Sequence, residues 1–219
     1  MGAYYRVTYF NGFCLLLTII LGGCSSTYYG AMEKVGIHKR DILVDRVESA
    51  RDSQVDAQEQ FKSALEQFNS VVTLKETDLK KAYDRLNSEY EDCNDAAAMV
   101  SAKIRKVESV SEDLFDEWSD ELQLYENRDL ARASKKQLEA TQSQYREMIG
   151  RMHRAEKSMG PVLKLFRDNV LFLKHNLNAQ AIGSLQGEFA NLENQIDNLI
   201  ARMSEAIESS NTFIAGMKE

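Results

Sequence analysis

Between residues 79 and 118 the apolar side chains recur with a period that admits few folds. Leu79, Leu86, Cys93, Val100, Val107 and Leu114 stand seven apart, and Tyr83, Tyr90, Ala97, Ile104 and Trp118 form a companion series interrupted at Ser111. Alternating steps of four and three keep one stripe of a helix turned toward a neighbouring helix, the geometry of a left-handed helix-on-helix seam. At a rise of 1.5 Å per residue the stripe is about 60 Å long. A strand, whose side chains alternate with a period of two, cannot use such a pattern.

The flanking segments are patterned to match. Over residues 38–73 a stripe of Val44, Val47, Phe61, Leu65, Phe68 and Val72 is intruded on by Arg51, Gln54 and Gln58, which predicts a helix with a half-polar seam. The phase slips between Val72 and Leu79, and residues 73–78 hold cap-type side chains such as Thr77. A break is expected there, a continuous helix with a stutter being the alternative. A turn around Asn127-Arg128-Asp129 opens a third helix with Leu138, Tyr145, Met148, Met152, Ala155, Met159, Val162, Phe166, Val170, Leu173 and Leu177 inward. Gly160-Pro161 predicts a kink or short break in it, because proline removes a backbone hydrogen bond and crowds the preceding turn. Beyond Asn176-Leu177-Asn178, Ile182, Leu185, Phe189, Leu192, Ile196, Leu199, Met203 and Ile207 mark a fourth helix ending near Gly216. With 1 Pro and 11 Gly in 219 residues, the long uninterrupted segments favour helix. The expected fold is all-α: an elongated antiparallel bundle of about four long helices with coiled-coil packing. The second and third segments read as longer than the first and fourth by more than about ten residues each, so the tip at residues 125–130 should project.

What precedes the bundle reads as an address. Residues 1–11 carry one positive side chain, Arg6, and residues 13–21 form an apolar run too short to span a bilayer, which takes about 20 residues in a helix. Its length fits the core of a signal peptide. Leu21-Gly22-Gly23-Cys24 resembles the lipobox of bacterial lipoproteins. That resemblance implies cleavage between Gly23 and Cys24, with diacylglycerol on the Cys24 thiol and a further acyl chain, as in palmitate, on its new amine. Each buried acyl CH₂ stabilises attachment by about 0.8 kcal/mol, so several chains hold a protein at a membrane where one would not. An ordinary signal peptide or uncleaved anchor is the alternative. By the bacterial sorting pattern, Ser25 in the next position implies the outer membrane and its periplasmic face. The chain thus divides into a signal peptide, residues 1–23, a lipidated tether, residues 24–36, and the bundle, residues 37–219. Thirteen steps from Cys24 to Ile37 reach at most about 45 Å. Tyr28 and Tyr29 in the tether suit either a headgroup layer or plain exposure.

Candidate chemistry is sparse. The formal charge is −7, and loss of residues 1–23 removes only the positive Arg6, which argues against nucleic acid and anionic surfaces as partners. With Cys14 cleaved away and Cys24 acylated, only Cys93 keeps a thiol; burial as a small hydrophobe is expected, an intermolecular bridge being the alternative. A di-iron bundle needs carboxylates on four helices and two Glu-x-x-His pairs. This chain offers one reversed pair, His153 with Glu156, besides His38 near a helix start and His175 beside an apolar run. No metal, cofactor or small-molecule ligand is expected, and no nucleophile turn or phosphate loop marks an enzyme. The acidic side chains around Trp118 read as a solvated face, since calcium would want a Gly-containing loop. Met148, Met152, Met159 and Met203 read as core before they read as a lipid cavity. Val170-Leu171-Phe172-Leu173 wraps around its helix, which predicts a central, buried position, with an exposed docking surface as the alternative. Gly183 and Gly187 are candidates for a close helix approach.

Five stretches resemble the bacterial domain-of-unknown-function 2959 family: His38-Lys39-Arg40-Asp41-Ile42-Leu43-Val44-Asp45-Arg46-Val47, Leu114-Phe115-Asp116-Glu117-Trp118, Phe166-Arg167-Asp168, Phe172-Leu173-Lys174-His175-Asn176-Leu177-Asn178-Ala179 and Ser184-Leu185-Gln186-Gly187-Glu188. The resemblance spans residues 37–216 and implies an envelope lipoprotein without supplying an activity or a site. The functional expectation is a non-enzymatic, outer-membrane-anchored module that binds another envelope protein or itself. A periplasmic carrier of lipid or another hydrophobe is the alternative.

Overall fold

A computed structural model describes residues 38–73 and 78–218, with the side chain of Ala179 left aside. The chain divides into two compact units, Met1–Ile42 and Leu43–Glu219. Of the first, only the start of a helix is described, where Ile42 N–H donates to the His38 carbonyl. The second holds the rest of that helix and three more. The elements are α1 Lys39–Thr73, α2 Leu79–Glu121, α3 Arg128–His175 and α4 Ala179–Lys218, with a single 3₁₀ turn, Leu122–Leu124, after α2. No strand occurs among the described residues.

Helix ends fall where short polar side chains satisfy orphan backbone groups. Asp78 accepts from the Lys81 N–H at 3.2 Å to start α2. Asn127 Oδ1 accepts from the Asp129 and Leu130 N–H groups at 2.9 and 3.2 Å to start α3. Asn178 Oδ1 accepts from the Ala181 N–H at the start of α4. Lys174 and His175 in the last turn of α3 complement the negative end of the helix dipole.

Cross-helix pairs give the topology of the Leu43–Glu219 unit. Ser49 pairs with Lys103 and Gln60 with Glu89, so α1 and α2 run antiparallel, and the break near residue 73 is a reversal rather than a stutter. Trp118 with Ser134 and Tyr90 with Phe166 make α2 and α3 antiparallel. Tyr145 with Phe213 and Arg151 with Glu205 do the same for α3 and α4. Gln186 with the Val72 carbonyl and Arg51 with Asn211 close the ring between α4 and α1. The unit is therefore an up-down-up-down four-helix bundle in which α1 and α3 are diagonal, touching edge to face through Phe68 and Phe166.

The core follows the sequence stripes. Leu86, Cys93, Val100, Ile104 and Val107 of α2 are buried, with Ala97 and Leu114 at the margin, and Ser111 is buried by turning its hydroxyl onto the Glu108 carbonyl. At one end Phe68, Tyr90, Phe166 and Phe189, one from each helix, form a ring cluster with centroids about 6 Å apart. Nearer the other end Phe115, Tyr145 and Phe213 form a second. Of the three intruding polar residues on α1, two reach α4. Arg51 Nη1 donates to Asn211 Oδ1 at 3.2 Å, and Gln58 Nε2 donates to the Ile200 carbonyl at 3.1 Å and Ser204 Oγ at 2.9 Å. Gln54, between them, is fully buried with neither amide atom partnered.

Several expectations need correction. Of the kink or short break expected at Gly160-Pro161, the break does not occur: α3 runs through Pro161, which faces solvent, where water can meet the carbonyl its ring displaces. A Cβ on Gly183 or Gly187 would touch nothing within 4 Å, so neither mediates a close approach. α4 does end near Gly216 as expected, at Lys218, and buries Phe213, Ile214 and Met217 in its last turns. The helices measure 35, 43, 48 and 40 residues, so α2 and α3 do not both exceed α1 and α4 by ten. The tip projects nonetheless. Beyond the level where Tyr145 meets Phe213, α2 and α3 continue and hold each other through Trp118, whose Nε1 donates to Ser134 Oγ at 2.9 Å.

Candidate functional site

The expected lipid attachment residue Cys24, the expected cleavage position at Gly23 and the expected tether at residues 24–36 lie outside the described residues.

Cys93 is buried on α2 with its Sγ 3.8 Å from the Gln60 carbonyl. Burial pushes its thiol up to about 12, and the nearby Glu89 and Asp92 carboxylates push the same way. A thiol that stays protonated is a poor nucleophile, so Cys93 packs as a small hydrophobe.

His38 immediately precedes α1, His175 closes α3, and His153 is in company. Its Nδ1 lies 2.9 Å from Glu156 Oε2, one turn along α3, and its Nε2 lies 2.8 Å from Glu108 Oε1 on α2. Burial pulls the imidazole down, but the two carboxylate hydrogen bonds outweigh it and raise its pKa above the ordinary value. Burial pushes Glu156 up, and hydrogen bonds from Ser101 and His153 outweigh that to lower it. The carboxylates meet opposite edges of the ring, so the three groups bridge two helices and do not converge on a point. Among the described residues no group of three or more His, Cys, Asp or Glu side chains is placed to hold a metal ion. The sequence showed only the Glu156 half of this bridge, because the Glu108 half depends on how α2 and α3 are registered.

Met148, Met152, Met159 and Met203 are fully buried core. The grooves along α3 and α4 are lined by other side chains: one of 440 Å³ by residues including Arg151, Glu205 and Thr212, and one of 620 Å³ by residues including Arg154, Lys157 and Arg202. Both open to solvent, with charged side chains beside apolar ones such as Phe213 in the first and Val162 and Leu199 in the second.

The surfaces that stand out are the two ends. At the α2–α3 tip Leu124, Tyr125 and Leu130 are 79%, 43% and 57% exposed. At the α3–α4 end Leu171, Phe172 and Leu177 are 44%, 40% and 49% exposed. The run Val170-Leu171-Phe172-Leu173 is thus split, with Val170 and Leu173 in the core and the middle pair outside, so α3 is not centrally buried there. Leu177 lies beyond the end of α3 and turns outward, against the expectation that it faces inward. The tip patch carried a readable signal: Leu124 and Leu130 flank a turn and belong to neither helix seam.

These features define a class: an up-and-down four-helix bundle whose polar interior contacts tie helices together and which, besides Met99 midway along α2, carries its exposed large apolar side chains in a patch at each end. The chain belongs to the family described as Protein of unknown function (DUF2959), which matches residues 28–217, a span that begins ahead of the bundle. No curated protein and no solved structure matches the chain.

Proposed function

We propose that this protein is a lipid-anchored protein of the bacterial outer membrane, held at the periplasmic face through Cys24. Its helical body acts there as a non-enzymatic structural or protein-interaction module. The observation that carries the reading is the sequence Leu21-Gly22-Gly23-Cys24 at the end of a nine-residue apolar run, followed by polar Ser25-Ser26-Thr27. No helix among the described residues is long and apolar enough to cross a membrane, so attachment in this reading rests on acyl chains. The chemistry of the bundle supports a binding role over catalysis: the Cys93 thiol is held protonated, and both ring nitrogens of His153 are engaged by carboxylates. The carrier reading has less support, because the core methionines are packed and the grooves along α3 and α4 are open to solvent rather than enclosed.

The test is mass spectrometry of the N-terminal peptide from membrane-extracted protein, with and without globomycin. A triacylated Cys24 whose processing the drug blocks is expected, and a free Cys24 thiol refutes the anchor. Crosslinked affinity capture from intact envelopes should then return one stoichiometric protein partner or the chain itself. Native mass spectrometry that finds bound lipid beyond the anchor would favour the carrier instead.

A further inference from the structure

We propose that the α2–α3 tip is a second membrane contact, resting on the headgroup layer of the same membrane that holds Cys24. The inference rests on the lipid-anchor reading and adds to it which end of the bundle faces the bilayer. α1 runs antiparallel to α2, with Ser49 beside Lys103, so Leu43, the first residue of the bundle unit, lies at the end from which the tip projects. The chain preceding Leu43 must join the unit at that end. Counting helix rise from the Ser49–Lys103 level, the end of α2 lies about 18 Å beyond the level of Leu43. Counting from the Tyr145–Phe213 level, Leu130 lies about 15 Å beyond the end of α4. The tether from Cys24 to Ile37 reaches at most about 45 Å, so a tip overhanging by less than half of that can meet the surface while the anchor stays inserted.

The chemistry of the tip suits a bilayer interface. Leu124, Tyr125 and Leu130 present aliphatic groups and an amphipathic ring, the pairing found at headgroup depth. Residues 124–132 carry Glu126 and Asp129 against Arg128 and Arg132, a balanced charge in a chain of net −7. Asp129 and Arg132 also pair with each other, which lessens the cost of bringing them to the interface. The neighbouring stretch 112–121 holds six acidic residues and no basic one, so a zwitterionic surface is favoured over an anionic one. The other apolar patch, Leu171, Phe172 and Leu177, is at the opposite end of α3, about 70 Å of helix away, and serves as the internal control.

The experiment uses the full-length lipidated protein reconstituted into phosphatidylcholine–phosphatidylethanolamine vesicles. Leu124→Cys and, separately, Leu177→Cys are labelled under native conditions with an environment-sensitive fluorophore, to which buried Cys93 does not respond. Expected are flotation of both variants with the vesicles and blue-shifted, iodide-protected emission at position 124 only. Leu130→Ser added to Leu124→Cys should reduce the shift without affecting flotation. Flotation with water-like emission at 124 overturns the tip contact and leaves the anchor standing, whereas absence of flotation removes both. Shielding at 124 before vesicles are added also overturns it: concentration-dependent shielding assigns the patch to a second copy, and concentration-independent shielding to the chain's own N-terminal segment. An equal shift at 124 and 177 overturns the end-on contact.

Discussion

Replacing Gln54 by methionine should stabilise this protein, although it removes a polar side chain from a stripe whose other two polar residues, Arg51 and Gln58, both bond to α4. Gln54 is fully buried on α1, and neither its Oε1 nor its Nε2 has a partner. An amide in an apolar setting without hydrogen bonds costs about 1–3 kcal/mol. Methionine has nearly the same volume and length, so the exchange leaves no cavity and adds no strain. The expected gain is therefore about 1–3 kcal/mol, or roughly 3–9 °C in Tm for a unit of this size. Equilibrium urea unfolding followed by circular dichroism should show a raised midpoint at unchanged m. Gln58→Met, one turn along the stripe, is the counter-case. Its amide donates to the Ile200 carbonyl and to Ser204 Oγ, and losing both bonds should destabilise by about 1–3 kcal/mol. Opposite signs from two glutamines four residues apart are the signature of the argument. A Gln54→Met protein no more stable than wild type, beside a destabilised Gln58→Met, would mean that the Gln54 amide is satisfied in solution, and the reasoning would fail.

Gly183→Ala and Gly187→Ala should each stabilise α4 by about 0.5–1 kcal/mol, since a Cβ meets nothing at either site and alanine restricts the unfolded chain; thermal melts check this. His153, with its raised pKa, contributes stability that is fully present below the ordinary histidine value of 6.5 and is lost as pH rises through the folded value. Glu156, with its lowered pKa, contributes stability present above 4.5 and lost as pH falls through the folded value, so the bridge is strongest between those limits. Proton NMR titration should show the His153 pKa falling toward 6.5 in both Glu108→Gln and Glu156→Gln. Cys93 should resist a thiol reagent at pH 8 in the folded protein and react at once in denaturant, because burial holds its thiol up at about 12.

The helices are legible in the sequence because each is a local pattern, whereas the surfaces between and beyond them depend on register. The seven-residue series from Leu86 to Leu114 identifies the buried face of α2 almost residue by residue, while Leu79 at its start and Tyr83 and Tyr90 in its companion series are only half-buried. No local pattern says that Glu108 meets His153, because that contact joins residues 45 apart and requires the offset between α2 and α3. Val170-Leu171-Phe172-Leu173 is ambiguous for the same reason: four apolar residues cover a whole turn, and only the positions of the neighbours decide that Leu171 and Phe172 stay outside. The short break offered at Pro161, one of two outcomes expected there, does not occur, since the solvent side of α3 relieves the crowded backbone.

The projecting tip brings these points together. Expecting it from helix length alone would require α2 and α3 to exceed both partners, yet α2, at 43 residues, is only slightly longer than α4, at 40. The overhang comes instead from stagger: α4 meets α3 at Tyr145 through Phe213 and ends at Lys218, while α3 begins seventeen residues before Tyr145, at Arg128. Stagger in turn is set by the two aromatic clusters, because sliding a helix by one seam step would pull Phe213 from Tyr145 at one end and Phe189 from Phe68 at the other. Each such pair contributes about 0.5–1.5 kcal/mol beyond its buried area, so the slide costs at both ends at once. The aromatic side chains of the core thus determine how far Leu124, Tyr125 and Leu130 stand beyond it.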